Sequence, residues 1–161
     1  MIAVYELPIR AFSLMGSNGE EKIEITIEEI FGFPDTTSYA GGYDFKGTLI
    51  IHAGCYKVYS QNFFSTTGEL YNLYISFLKC YDSLTGIVKY PVAYLENNFE
   101  FKLEMTQAGH AIISGNFREY PHLPNKLVFE IGTDQTCIKK TIDDLKQVEK
   151  LFGGNSGKCI V

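Results

Sequence analysis

The stretch from Glu20 to Asp35, EEKIEITIEEIFGFPD, holds six carboxylates (Glu20, Glu21, Glu24, Glu28, Glu29 and Asp35) against one ammonium, Lys22. It accounts for the whole formal net charge of −5, because acids and bases balance over the rest of the chain. Carboxylates at this density suit long-range attraction of a basic partner, an effect on encounter rate that salt screens. They also have a plainer reading, since outward carboxylates on an edge strand discourage edge-to-edge aggregation. Both readings stand at the level of sequence. Ile23, Ile25 and Ile27 alternate with Glu24, Thr26 and Glu28, which predicts a half-buried strand with one acidic face. Strict alternation puts Glu24 and Glu28 on that outer face, and Glu21 and Glu29 on the isoleucine side. Glu20, Glu24, Glu28 and Asp35 are therefore the candidate steering charges. Tyr39 and Tyr43, in the loop that follows, are candidate aromatic anchors for a partner.

No other group of residues forms a catalytic pattern. His52, His110 and His122 fall on separate expected strands or loops, and none stands at metal-ligand spacing from another His, Cys or acid. There is no G-x-S-x-G elbow. The ending GGNSGKC resembles a phosphate loop, but it is one residue short and has Cys159 where Ser or Thr would hold magnesium. It also follows a helix, whereas a phosphate loop joins a strand to a helix. The expectation is a protein without cofactor or metal, acting by binding and not by catalysis. One alternative stays open, a small-molecule-binding or enzymatic domain whose pocket lies between sheet and helices, where Tyr hydroxyls converge with His52 or His110.

Charge and cysteine usage bound the setting. Lys139, Lys140, Lys146 and Lys150 are interleaved with Asp143, Asp144 and Glu149, a solvated face, and the negative net charge argues against direct nucleic-acid binding. Cys55, Cys80, Cys137 and Cys159 show no CxxC pair, which suits buried free thiols in a reducing cytoplasm. No apolar run approaches the roughly 20 residues of a membrane helix. The start MIAVYELPIR, with Glu6 and Pro8 and no basic lead, argues against a signal peptide. Cys159 stands third from the end, where prenylation takes the fourth position.

The elements that must position these residues can be read in order. Ser17-Asn18-Gly19 predicts a type I′ hairpin turn between a strand over 9–15 and the acidic strand. Residues 32–44 read as a surface loop, followed by strands over 45–53 and 55–63 joined at Gly54. Leu70, Leu73, Tyr74, Phe77, Leu78 and Tyr81 recur at helical spacing, and Thr66 with Glu69 makes a capping box. Four strands follow over 87–95, 99–105, 110–119 and 127–131, whose short connections imply antiparallel pairing. A second helix runs from Asp134 to about Phe152, with Thr133 or Asp134 as cap and Gly153-Gly154 as its stop. The fold class is α+β: a largely antiparallel, twisted sheet of about eight strands, in one or two layers, with two helices packed on it. Residues 1–153 form the domain and 154–161 a flexible tail.

The segment KLVFEIGTDQTCIKKTIDDLKQVEKLFG, from Lys126 to Gly153, resembles the WapI-like immunity proteins of bacterial toxin–immunity systems. There a strand of type L-x-F-E runs into Asp-Gln-Thr or Asp-Gln-Ser before a C-terminal helix. Leu127, Phe129, Glu130, Asp134, Gln135 and Thr136 stand in those places. The upstream order is similar too: an Asn-Gly hairpin, paired strands, a helix starting near Gly68-Glu69-Leu70, then strands around Leu95, Phe99 and Gly109-His110. The likeness covers residues 10–153 but lacks the Trp of many relatives, where Phe45 or Leu49 stands. It implies a bacterial protein of the cytoplasm that binds a cognate toxin, often a nuclease, and neutralises it. It supplies no catalytic residues.

Overall fold

The structure, a computed structural model, describes residues 5–91 and 98–158. Strand β1 (Ile9–Met15) turns into β2 (Lys22–Ile30), whose Ile23, Ile25 and Ile27 are fully buried. The turn between them differs from type I′. Only Gly19 takes a positive φ, +77°, while the Asn18 carboxamide oxygen accepts from the N–H groups of Glu20 and Glu21 at 3.0 and 3.1 Å. That local hydrogen bonding holds Asn18 in ordinary backbone space and lengthens the loop.

Strands β3 (Asp44–Ala53) and β4 (Tyr56–Thr66) complete a four-stranded antiparallel sheet, sheet A, in the order β1-β2-β3-β4. β4 extends to Thr66 and leads directly into α1 (Thr67–Ser83), where the Thr66 hydroxyl accepts from the Glu69 N–H at 3.1 Å. Sheet B follows as β5 (Ile87–Tyr90), β6 (Phe99–Met105), β7 (His110–Phe117) and β8 (Leu127–Asp134), again antiparallel and in sequence order. The expected continuation of β5 to Leu95 lies outside the described residues from 92 onward. α2 (Gln135–Phe152) closes the domain.

Alternation puts one face of each sheet into a shared core. Phe12 meets Phe101 at 6.5 Å between ring centroids and Phe63 meets Phe99 at 6.1 Å, while the Ser65 and Tyr90 hydroxyls hydrogen-bond across the same interior at 2.8 Å. Burial of each such ring contributes about 1.5–3 kcal/mol. α2 lies along β1 and against α1, and α1 along β5. The expected α+β fold with eight antiparallel strands and a C-terminal helix is thus present, in two sheets of four.

Of the two expected cap candidates the structure uses one, and two further local expectations need correction. Asp134 alone caps α2, its carboxylate accepting from the Thr136 and Cys137 N–H groups at 2.9 and 3.0 Å. Thr133 is buried, and its hydroxyl donates to the Met15 carbonyl at 2.7 Å, tying β8 to β1. Residues 154–158 are not a loose tail either. The Asn155 carbonyl accepts from the Gly42 N–H at 2.7 Å, and the Lys158 N–H donates to the Tyr43 hydroxyl at 2.9 Å. These bonds clamp the turn onto the loop between β2 and β3. Cys55, finally, is exposed; it, Cys80 and Cys137 are free thiols.

Candidate functional site

The acidic stretch is continuous in sequence but extended in space. At roughly 3.3 Å per residue, β2 separates its ends by about 25 Å. Glu20 sits exposed in the β1–β2 turn at one end, and Asp35 in the exposed loop beyond the other. Between them, the register defines the outer face of sheet A as cross-strand rows. Ser13, Glu24, Ile50 and Tyr59 make one row; Met15, Lys22, His52 and Lys57 another; Glu29, Lys46 and Phe64 a third.

Glu24 is half-buried in a charge cluster, with Lys22 at 3.7 Å and Arg10 at 4.0 Å. Arg10 also reaches Asp144 of α2 at 3.8 Å. Glu24 thereby has local counter-charges and contributes little field at a distance. Glu28 and Glu29 are exposed, although the Thr48 hydroxyl donates to Glu28 at 3.1 Å. The register shifts between Ile27 and Glu29, so one residue is inserted there. A bulge of this kind breaks strict alternation. Glu29 pairs with Lys46 and so shares the outer face with Glu24, contrary to the simple parity expectation. Ile30 then returns to the core side beside Phe45.

The two loop tyrosines part company. Tyr39 is wholly exposed. Tyr43, expected as an anchor, is fully buried, edge-on to Phe33 at 5.1 Å, and its hydroxyl donates to the Pro34 carbonyl at 2.8 Å. It is a core residue and presents nothing to a partner. Sequence reasoning did not select Phe31, Tyr59 or Phe64, which stand 46%, 66% and 58% exposed around the same face. The usable signal was the aromatic alternation of the fourth strand, readable only once its bulge near Gln61 and Asn62 is known.

The two imidazoles of the rival reading lie on different sheets. His52 lies on the outer face of sheet A, its pKa lowered by partial burial and by Lys22 and Lys57 beside it. His110 lies on sheet B, lining an open cleft of about 400 Å³ with Asn18, Glu21 and Thr106. Tyr43 and Tyr90 commit their hydroxyls to Pro34, Lys158 and Ser65, and burial drives the Tyr90 pKa upward. Among the described residues no group of three or more His, Cys, Asp or Glu could hold a metal ion. No helix among them is long and apolar enough to cross a membrane.

The far end of β2 gathers exposed acids beside exposed aromatic rings. Glu28, Glu29 and Asp44 stand beside exposed Phe31 and Phe64, with Lys46 the base in their row. No curated protein and no solved structure matches the chain. The model of the Immunity protein WapI-like family does match it, over residues 13–153, which spans both sheets and both helices. The chain therefore belongs to the WapI-like immunity protein family.

Proposed function

We propose that this immunity protein neutralises a cognate toxin by stoichiometric, non-enzymatic binding in the cytoplasm of the producing cell, and that it meets a basic surface of the toxin with its acidic side. Family membership supports the immunity role. The observation that carries the electrostatic part is the β2 bulge, which leaves Glu28 and Glu29 adjacent, solvated and next to exposed aromatic rings. A nuclease toxin fits this chemistry, because a protein that grips a phosphate backbone must carry a basic surface. Exposed acids would steer the encounter, while the exposed aromatics Phe31, Tyr39 and Phe64 would supply affinity on being covered. Glu20, at the opposite end, and Glu24, already paired, would contribute less than Glu28, Glu29 and Asp35.

Stopped-flow association with the cognate toxin tests this. The double variant Glu28→Lys, Glu29→Lys should associate about tenfold more slowly at low salt, with a shallower dependence of rate on ionic strength. Association that keeps the wild-type rate and salt slope would sink the electrostatic reading.

A further inference from the structure

Sheet A has two edges, and among the described residues only the one along β1 is closed. Along β1 the Ser13 N–H donates to Asp144 at 3.1 Å, the Thr141 hydroxyl donates to the Ser13 carbonyl at 3.2 Å, and Thr133 satisfies Met15. Along β4, the other edge, no described residue hydrogen-bonds the backbone groups that face away from β3. This edge also carries exposed Tyr56, Tyr59 and Phe64. Unpaired edge groups with exposed aromatics form a template for an added strand.

A cleft of about 260 Å³ lies against the same edge, lined by Tyr59, Gln61, Asn62, Asn98, Glu119 and Tyr120. Its one charged lining residue is Glu119, an exposed carboxylate that makes no ion pair among the described residues. A carboxylate, two phenol rings and three carboxamides describe a receptor for a cationic side chain. The carboxylate takes its charge, a ring face stabilises it, and amide oxygens accept its remaining N–H groups.

We propose that the open edge of β4 and this cleft receive an extended, cationic segment of the toxin, its main chain pairing with β4 and an Arg or Lys side chain seated against Glu119. The proposal rests on the neutralisation reading above and specifies where the toxin docks. A second copy of this chain fits less well. It offers the same net negative charge, and the irregularity between Ser60 and Phe63 interrupts any two-fold pairing of β4 with itself.

The test uses the full chain and, as cognate toxin, the inactivated C-terminal domain of a secreted protein sought among the neighbouring genes. Glu119→Gln should weaken binding about fivefold and Glu119→Arg about tenfold or more, with Tm unchanged, while Lys102→Gln on sheet B leaves Kd alone. Hydrogen exchange of the complex should show slowed amides within 57–62 and 118–120. Wild-type binding with no protection there and unchanged Kd for both Glu119 variants overturns this inference and leaves the neutralisation reading standing. Absence of wild-type binding removes both. A toxin-free dimer that protects the same amides also overturns it, since the edge would then be occupied by a second copy.

Discussion

The Ser13 N–H donates to the Asp144 carboxylate at 3.1 Å, joining an edge strand to a helix across 131 positions of sequence. The same carboxylate faces Arg10 at 3.8 Å, so a single side chain both closes the edge of β1 and holds α2 against it. Asp144→Ala should leave a partly buried N–H without a partner and cost about 2 kcal/mol, read as a lower urea midpoint at constant m. Asp144→Asn keeps an acceptor and should lose less. Equal losses in the two variants would show that the hydrogen bond is not what holds the edge.

Two carboxylates, the α2 cap Asp134 and Asp144 within the helix, respond to pH with opposite sign. The Cys137 and Thr136 N–H groups, with the Ser17 hydroxyl, hold the Asp134 carboxyl below its ordinary range. A folded pKa below the unfolded value means that its contribution is present above the unfolded value and is lost as pH falls through the folded one. Burial pushes Asp144 upward, against the Ser13 N–H and Arg10. Its contribution is complete below the unfolded value and declines as pH rises through the folded one. Chemical denaturation between pH 3 and 7 should therefore show wild type gaining on Asp134→Asn as pH rises and losing ground to Asp144→Asn over the same titration. Parallel curves would contradict both assignments.

Tyr43 Oη bridges two loops, donating to Pro34 and accepting from Lys158. Tyr43→Phe keeps the edge-on contacts with Phe33 but leaves both groups unmet, costing about 1–2 kcal/mol. Exchange of the Lys158 amide should accelerate by more than any change in global stability explains. If only global stability changes, the clamp on the C-terminal turn is not made through this hydroxyl.

Gly42 takes φ +66°, and a Cβ there would meet the Gly68 backbone nitrogen and the Thr67 hydroxyl at the start of α1. Its N–H is already committed to Asn155. Gly42→Ala should cost more than the roughly 1 kcal/mol of a left-handed alanine, because backbone on both sides must shift. A thermal melt close to wild type would show that the junction yields easily.

Much of the fold was legible because its signals are local. The alternation of Phe99, Phe101, Leu103 and Met105 set β6, and the 3.6-residue recurrence from Leu70 to Tyr81 set α1 together with its Thr66 cap. The candidate site was less legible. Glu29 was assigned to the wrong face because a bulge changes parity without leaving a mark in the alternation itself. Tyr43 read as a loop aromatic because residues 32–44 look polar and turn-rich, yet Phe33, Tyr43 and Phe152 close a small aromatic cluster under that loop. Turn composition reports backbone conformation and says nothing about which side chain a distant helix will cover.

The sequence by itself determined the strands and helices in outline, the candidates for their caps and the sign of the charge, since hydrophobic period, capping chemistry and formal charge all act over a few residues. Tertiary structure decided which acids are free. It put Glu24 between Arg10 and Lys22, separated Glu20 from Asp35 along an extended strand, and brought Glu28 and Glu29 together through a bulge. It also closed one edge of sheet A with α2 and left the other without a hydrogen-bonding partner among the described residues. Electrostatic and hydrogen-bonding availability depend on neighbours in space, and chain order does not encode those distances.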